Sequence, residues 1–444
     1  MVPYDQETIV ALATPPGVGA LSVLRISGES LVPFYKQLTK TSPKTRFAAF
    51  CKLHHPETGE VLDEVVATYF KSPKSFTGED MIEISCHGGE VVQNNIIAAI
   101  LDGGARLAKP GEFSFRAYMN GKMDLLQAEA VASLIASKST YSTKVGLYHL
   151  DGRVSRQLMN IKSQVIDLLA VLENELNFSE EEIDVTSLDE IASRIKLLRN
   201  EVSAIVNASS FGRQIFSGVR VVLFGKPNSG KSSLFNALLG YDRAIVSSTP
   251  GTTRDTVEAW IELEGLPVCL IDTAGMWESG DYLDNLGIAK TKSELDKADL
   301  CLLVDEDDPT LIQTDHMKIP VILIRSKCDI DQQVSQSNGV VRVSSKTQLG
   351  IKDLLTHLST YCTKVTERSE NNSFAVMTTR RQRTLLGDAH GVLSEALKQT
   401  SENIGTDIVA STLRQFIVCV QDMVGEIPNE NIMETVFSEF CIGK

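Results

Sequence analysis

The sequence predicts a multidomain chain: an α+β domain, then an all-α bundle split in two, with an α/β module inserted between its halves. Three observations predict it. The first 119 residues carry short β-branched runs and one helix-like stretch. Apolar residues then recur at threes and fours from about 123 to 210, and again after 400. Between these helical blocks, short apolar strands each run into a glycine- or hydroxyl-rich loop. The composition shifts place boundaries at 1–119, 120–215, 216–365 and 366–444.

In the first region, Thr8-Ile-Val-Ala-Leu12, Leu21-Ser-Val-Leu-Arg-Ile26, Val65-Val-Ala-Thr-Tyr-Phe70 and Met81-Ile-Glu-Ile-Ser85 read as strands, and residues 91–101 read as a helix. Pro15-Pro-Gly-Val-Gly-Ala20 lacks the third glycine of a dinucleotide fingerprint and signals only a turn. The adjacent Cys86 and His87 read as a core and a turn residue rather than as metal ligands.

In the second region, Leu158, Ile161, Val165, Leu168, Leu172 and Leu176 mark one long amphipathic helix, and Leu188, Ile191, Ile195, Leu198, Val202 and Ile205 mark another. The acidic run Ser179-Glu-Glu-Glu-Ile-Asp184 between them reads as a solvated helix start or loop. The period returns at Ile408, Thr412, Phe416, Val420 and Met423, after a polar stretch at 366–373 that reads as a linker. Neither helical block alone encloses a generous core, so an interrupted bundle explains the order.

The inserted module carries the chemistry. Val219-Arg-Val-Val-Leu-Phe224 is a buried-type strand, and Gly225-Lys-Pro-Asn-Ser-Gly-Lys-Ser232 follows it with the phosphate-loop spacing G-x-x-x-x-G-K-[ST]. Glycines let the backbone wrap an anion, and the helix that follows adds the partial positive charge of its N-terminus. Lys231 is placed to neutralise the β- and γ-phosphates, and Ser232 to ligate Mg²⁺. Asp272-Thr-Ala-Gly275 ends a second apolar run, putting a carboxylate near Mg²⁺ and a glycine N–H beside the γ-phosphate. Val321-Ile-Leu-Ile324 leads into Arg325-Ser-Lys-Cys-Asp329, similar to the guanine-reading N-K-x-D motif with Ser326 where Asn is usual.

The Asp329 carboxylate can accept from both the ring N–H and the exocyclic amine of guanine, a donor pair adenine lacks. Lys327 is expected to lie over the base. Ser326 is expected to forgo the tie between this loop and the phosphate loop, weakening nucleotide binding while guanine preference is kept. Ser344 and Ser345 fit the last base-contacting loop. The hydroxyl-rich segment 244–255 suits a switch loop, in which Thr253 is the second Mg²⁺ ligand. The GTP contacts expected are thus Asn228, Ser229, Gly230, Lys231, Ser232 and Ser233; Ser247, Ser248, Thr249, Pro250, Gly251, Thr252 and Thr253; Asp272, Thr273, Ala274 and Gly275; Ser326, Lys327 and Asp329; and Ser344 with Ser345.

Composition excludes several classes. No apolar run approaches the ~18 residues of a membrane span, and the N-terminus lacks a basic start and an apolar signal core, so a cytoplasmic protein is expected. Eight cysteines form no C-x-x-C pair, which argues against a disulfide framework or zinc site. A net charge of −14 opposes nonspecific attraction to nucleic acid, so an RNA substrate must meet a local basic patch or be held by a partner.

Several motifs together resemble one family from end to end: Thr8-Ile-Val-Ala-Leu-Ala-Thr-Pro-Pro-Gly17 with Leu24-Arg-Ile-Ser-Gly28, Phe76-Thr-Gly-Glu-Asp80, His87-Gly-Gly89, Lys109-Pro-Gly-Glu-Phe-Ser114, Lys122-Met-Asp-Leu125, the inserted GTPase module and the terminal Cys441-Ile-Gly-Lys444. The chain resembles the tRNA-modification GTPases of the MnmE (TrmE) family. That resemblance implies a folate-binding N-terminal α+β domain similar to aminomethyltransferase domains, a discontinuous helical bundle and an inserted Ras-like P-loop GTPase domain. It also implies a homodimer formed through the N-terminal domain, and a heterotetramer with the FAD-dependent MnmG protein. Such a complex adds an aminomethyl-type group, including carboxymethylaminomethyl, to C5 of the wobble uridine (U34) of certain tRNAs. The one-carbon unit comes from 5-formyl- or methylene-tetrahydrofolate.

Carried over by position, the folate contacts are Arg25, Glu83, Lys122 and Lys444. Gly251-Thr-Thr-Arg-Asp255 also resembles the switch of the potassium-activated branch of translation-factor-related GTPases, which implies K⁺ held by Asn228 with Ser247, Thr249 and Thr252. Asp284, one methylene shorter than the usual Glu, orients the attacking water. By residue type alone Asn228 fits a turn as well, Asp284 an exposed loop acid, and the four folate residues ordinary surface charges. Cys441 is either a nucleophile or a packing residue. Two other functions fit parts of the pattern: a nucleotide switch for ribosome assembly, and a folate-dependent transferase acting alone.

Overall fold

The computed structural model describes residues 7–177, 188–209, 211–241, 257–272, 294–312, 314, 317, 319–330, 339–370, 375–427, 435–438, 440 and 443. The chain divides into two compact units. One holds Met1–Ile135, His149–Ser187 and Gln399–Lys444; the other holds Ala136–Tyr148 and Leu188–Lys398.

The first unit is built on a six-stranded sheet of β1 (Ile9–Leu12), β2 (Leu21–Gly28), β3 (Ala48–His54), β4 (Val61–Phe70), β5 (Asp80–His87) and β6 (Arg106–Leu107), in spatial order β3-β4-β5-β2-β1-β6. All pairs are antiparallel except β1 with β6. Period-2 apolar residues such as Leu24, Ile26, Ile82 and Ile84 pack with α1 (Val32–Thr39) and α2 (Glu90–Asp102). The four strands and the helix read from the sequence are all present. The reading missed α1, whose second residue is Pro33, the edge strand β3, and α3 (Glu112–Met119). Proline is accommodated in a first helical turn because its missing N–H has no partner there anyway.

α3 carries the deepest charge of this unit. Arg116 is fully buried, with Nη1 3.0 Å from Glu79 Oε2 and Nη2 2.9 Å from Glu112 Oε1. Glu79 also accepts from Ser27 Oγ at 2.8 Å, and Arg106 pairs with Glu112 at 2.6 Å. This network fastens α3 to β2 and to the loop before β5. Cys86 is buried and burial pushes its thiol up to about 11; exposed His87 sits 2.7 Å from Asp63. Cys86 is a core residue as read, whereas His87, read as a turn residue, is the exposed last residue of β5.

Helices α4 (Leu125–Ile135), α6 (Arg153–Asn177) and α12 (Thr406–Val424) complete this unit. The apolar stripe of α6 packs along α12 through Leu158, Ile161, Val165, Phe416 and Val420. α5 (Thr140–Leu150) runs from the second unit into the first. The acidic run 179–184 lies outside the described residues. Gly443, near the C-terminus, lies against β1: a Cβ there would meet the Leu12 carbonyl oxygen at 2.3 Å, so only glycine fits.

The second unit centres on a six-stranded sheet of β7 (Val219–Phe224), β8 (Val257–Leu263), β9 (Leu266–Asp272), β10 (Leu300–Asp305), β11 (Val321–Arg325) and β12 (Val340–Arg342), ordered β12-β11-β10-β7-β9-β8. All neighbours are parallel except β8 with β9. The chain leaves β7 towards β9 and β8, then returns to its other side for β10, β11 and β12. The C-terminal end of β7 is therefore a topological switch point, where α/β sheets bind ligands.

Buried residues of α7 (Leu188–Ser209), α8 (Gly212–Ser217), α9 (Lys231–Tyr241) and α10 (Ile351–Glu370) cover one face of this sheet. The stretch 366–373, expected as a linker, is helical through Glu370, because α10 continues its own apolar stripe with Cys362 and Val365 buried. Residues 371–374 lie outside the described residues, and α11 (Arg380–Ser401) follows. No helix among the described residues is long and apolar enough to cross a membrane.

Candidate nucleotide site

The phosphate loop leaves β7 at Gly225, whose φ is +153° and where a Cβ would lie 2.0 Å from the Val304 carbonyl oxygen. No side chain is tolerated at that crossing. Asn228 follows with φ +60°, a left-handed conformation that Asn accepts better than most residues, and Gly230 has φ +90°. α9 then begins at Lys231, so its first N–H groups and the positive end of its dipole face the loop.

Lys231 is buried, its Nζ donating to the carbonyls of Gly225 at 2.9 Å and Lys226 at 2.6 Å. Burial holds its pKa below the ordinary lysine value, opposed by the nearby Asp272 carboxylate. Asp272 is buried at the C-terminal end of β9 as expected, and Ser232 is exposed on the first turn of α9. Hydroxyl and carboxylate oxygens are hard donors of the kind that suits Mg²⁺.

The base-reading loop meets the phosphate loop directly. Ser326 Oγ donates to the Ser229 carbonyl at 2.6 Å, while Ser326 N donates to the Asp305 carbonyl at 2.9 Å. The expectation that the Asn-to-Ser change removes this tie is therefore corrected. The Ser326 side chain lies in contact with the phosphate loop at Gly230, close enough for a hydroxyl to span the gap. Two acids at the end of β10 add to the tie: buried Asp305 pairs with Lys226 of the phosphate loop at 3.0 Å, and Glu306 pairs with Lys327.

Asp329 accepts from Ser344 Oγ at 2.7 Å, and that hydrogen bond holds its carboxyl below the usual range, so it stays an ionised acceptor. A cavity of about 600 Å³ opens between the loops, lined by Gly230, Ser233, Asn236, Ala237, Ser326, Lys327, Asp329, Ile330, Ser345, Lys346 and Gln348. Gly230, Ser233, Ser326, Lys327, Asp329 and Ser345, far apart in sequence, thus share one cavity. Lys231, Asp272 and Asn228 stand at the phosphate end. Asn236, Lys346, Gln348, Asp305 and Glu306 were missed. Lys346 ends the Val343-Ser-Ser-Lys346 stretch read as the last base-contacting loop without being singled out; no motif carries the others, and the only signal for them was that Asn236 lies one helical turn beyond Ser233. Ser247, Ser248, Thr249, Pro250, Gly251, Thr252, Thr253, Thr273, Ala274, Gly275 and Asp284 lie outside the described residues.

A second cluster forms in the first unit. Arg25 on β2 and Glu83 on β5 are cross-strand neighbours with Nε and Oε1 2.8 Å apart, and the Arg25 guanidinium lies 5.6 Å from the Phe76 ring centroid. Lys122 Nζ donates to the Pro73 carbonyl at 2.9 Å, and a Cβ on Gly78 would lie 3.2 Å from its Cγ. The 73–78 segment therefore adjoins both Arg25 and Lys122. A cation, an acceptor and an aromatic ring on one surface fit a pterin with an anionic tail. Cys441 and Lys444 lie outside the described residues, although Gly443 between them is placed against β1 beside β2.

Comparison with known proteins agrees along the whole chain. Residues 8–122 match the model described as GTP-binding protein TrmE N-terminus, and residues 125–441 match the MnmE helical domain. A tRNA modification GTPase MnmE of Koribacter versatilis is 37% identical, covering 99% of both chains. Its counterpart in Acetivibrio thermocellus is 34% identical over 99% of this chain and 100% of that one. That of Thermotoga maritima is 35% identical with the same coverage. Among solved structures, the G domain of a T. maritima FeoB iron transporter aligns at 28% identity over 34% of this chain and 98% of that chain, with a TM-score of 0.26. With a phosphate loop at the switch point of its sheet and near full-length identity to these relatives, the chain belongs to the tRNA modification GTPase MnmE family.

Proposed function

We propose that the chain hydrolyses GTP and couples that hydrolysis to modification of C5 of the wobble uridine of certain tRNAs. It does so in the cytoplasm, as a homodimer assembled with an FAD-dependent MnmG-type partner, using a tetrahydrofolate one-carbon unit. The observation that carries the reading is the cavity in which Ser326 and Asp329 of one loop meet Gly230 of the other.

On binding, Lys231 exchanges its two carbonyl partners for β- and γ-phosphate oxygens, and the loop N–H groups and the start of α9 orient the triphosphate. Ser232 with Thr253 would hold Mg²⁺, and Asn228 with Ser247, Thr249 and Thr252 would hold K⁺. Both ions, when bound, neutralise charge that builds on the phosphate oxygens. Asp284 orients the attacking water. Arg25, Glu83, Lys122 and Lys444 hold the folate, with Arg25 pre-orienting Glu83 as the pterin acceptor. Cys441 lies on the same terminal segment and is its candidate nucleophile.

An arginine finger elsewhere raises hydrolysis by about 10³- to 10⁵-fold, and a monovalent cation supplies comparable charge here, so GTP turnover is expected to rise at least about tenfold in K⁺ over Na⁺. Steady-state hydrolysis in the two salts measures this, and equal rates would refute the cation's role. Unmodified wobble uridine in tRNA from cells lacking the chain tests the coupled reaction.

Ser326→Ala is expected to weaken GDP and GTP binding about tenfold, the worth of one hydrogen bond between neutral groups. Ser326→Thr, which keeps the hydroxyl, should bind as the parent does. Titration calorimetry with GDP decides, and an Ala variant of parental affinity would show that the loop-to-loop bond adds nothing.

A further inference from the structure

Against a chain charge of −14, residues 31–56 contain five Lys or Arg and no Asp or Glu, and residues 65–78 add Lys71 and Lys74, again with no acid. The fold brings the two acid-free stretches together. Arg46 N donates to the Tyr69 carbonyl at 2.8 Å, and Arg46 Nη2 donates to the Lys74 carbonyl at 3.1 Å. The turn from Lys44 to Phe47 thus lies against the turn from Lys71 to Lys74. Lys44, Arg46, Lys71 and Lys74 are all exposed.

Aromatic surface accompanies the charge. Phe47 is 51% exposed, with Lys44 Nζ 5.1 Å from its ring centroid, and Phe50 on edge strand β3 is 72% exposed. Exposed apolar surface rimmed by polar residues is the kind that marks interaction sites. Exposed cations interleaved with exposed aromatic rings match the chemistry of RNA, whose phosphates take the cations and whose unstacked bases take the rings. A lipid surface would take the cations but leaves the paired turns and edge-strand rings without an apolar helix to insert.

We propose that this corner of the first unit, formed by the 44–47 and 71–74 turns with Phe50, is a docking surface for the tRNA backbone and an unstacked base. The inference rests on the tRNA reading above and deepens it. Lys122 reaches the same 71–74 turn through the Pro73 carbonyl, so RNA held there lies beside the candidate folate cluster.

The test uses the full chain and an unmodified tRNA transcript with uridine at the wobble position. The triple variant Lys44→Gln, Lys71→Gln, Lys74→Gln leaves the Arg46 hydrogen bonds intact, and Phe50→Ala is made separately. Removing one lysine–phosphate pairing should lower the slope of log affinity against log salt by about 0.7 to 0.9, so the triple variant loses roughly 2 from its slope. Its affinity at low salt should fall at least tenfold, while Phe50→Ala should weaken binding by a salt-independent factor. GTP hydrolysis without RNA and the oligomeric state should match the parent in both variants.

Parental affinity and slope in the triple variant would overturn the proposal. So would a parent chain that hydrolyses GTP yet shows no tRNA binding, or a variant whose only change is dissociation of its dimer, which would assign the corner to a second copy of the chain. Loss of wobble modification in cells lacking the chain, alongside any of these results, would leave the tRNA reading standing and remove only this surface.

Discussion

Asp329→Asn is expected to lower affinity for GDP and GTP at least a hundredfold, on the order of two charge-assisted hydrogen bonds, and to raise affinity for xanthine nucleotides. In the function proposed above the carboxylate accepts from the guanine ring N–H and the exocyclic amine, and Ser344 Oγ donates to it at 2.7 Å and favours its ionised form. An asparagine amide still accepts from the ring N–H, but its NH₂ group faces the guanine amine, donor against donor. Xanthine carries a carbonyl at that carbon, which the amide can donate to. Competition binding with GDP and XDP measures both changes. A variant that still prefers GDP would remove Asp329 from base recognition. Because Asp329 lines the cavity rather than the sheet core, thermal stability of the variant should match the parent.

Arg116→Ala should be the most damaging single change outside the nucleotide site. It takes the buried cation away from Glu79 and leaves Glu112 with Arg106, and breaking a buried pair in this way costs about 3–5 kcal/mol. The loss should appear locally, since the chain has two compact units and its unfolding is not expected to be two-state. Amide exchange of Val10, Leu24 and Ile26, core residues of β1 and β2, should speed up by about two orders of magnitude or more, while the strands of the second unit exchange as before. Combining Arg116→Met with Glu79→Gln and Glu112→Gln should recover much of the loss, because the penalty comes from stranded charge rather than from missing attraction. Unchanged exchange in Arg116→Ala would show that the network contributes little.

What was legible in the sequence was what repeats or punctuates locally. Strands such as Val219–Phe224 showed themselves by β-branched composition, and α6 and α12 by spacing of threes and fours, because both signals arise from one element burying one face. The phosphate loop was legible because its G-x-x-x-x-G-K-S spacing is a pattern written in consecutive residues, although what leaves no room for a Cβ at Gly225 is the distant Val304 carbonyl. Edge strand β3 was missed because its outward residues include Phe50, which breaks the alternation of a half-buried strand. The end of α10 was placed too early, because Thr366 and its polar neighbours read as a linker while the helix kept its packing on Val365.

Other features had no local signature. Arg116, in a stretch reading Glu-Phe-Ser-Phe-Arg-Ala-Tyr-Met, looks like any surface arginine until Glu79, distant in the chain, closes over it. Ser326 looks like a defect in a guanine-reading motif until the loop beyond β11 is set against Ser229. The basic turns around Arg46 and Lys74 are two ordinary stretches until one hydrogen-bonds to the other.

The sequence by itself determined the kinds of domain, the triphosphate chemistry and the family, since periodicity, glycine spacing and motif order are written along one dimension. Only the tertiary structure decided which charges are buried, which loops hold each other and which cations share a corner. Those outcomes depend on desolvation and on distances between residues tens to hundreds of positions apart, and the chain sets such distances only when it folds.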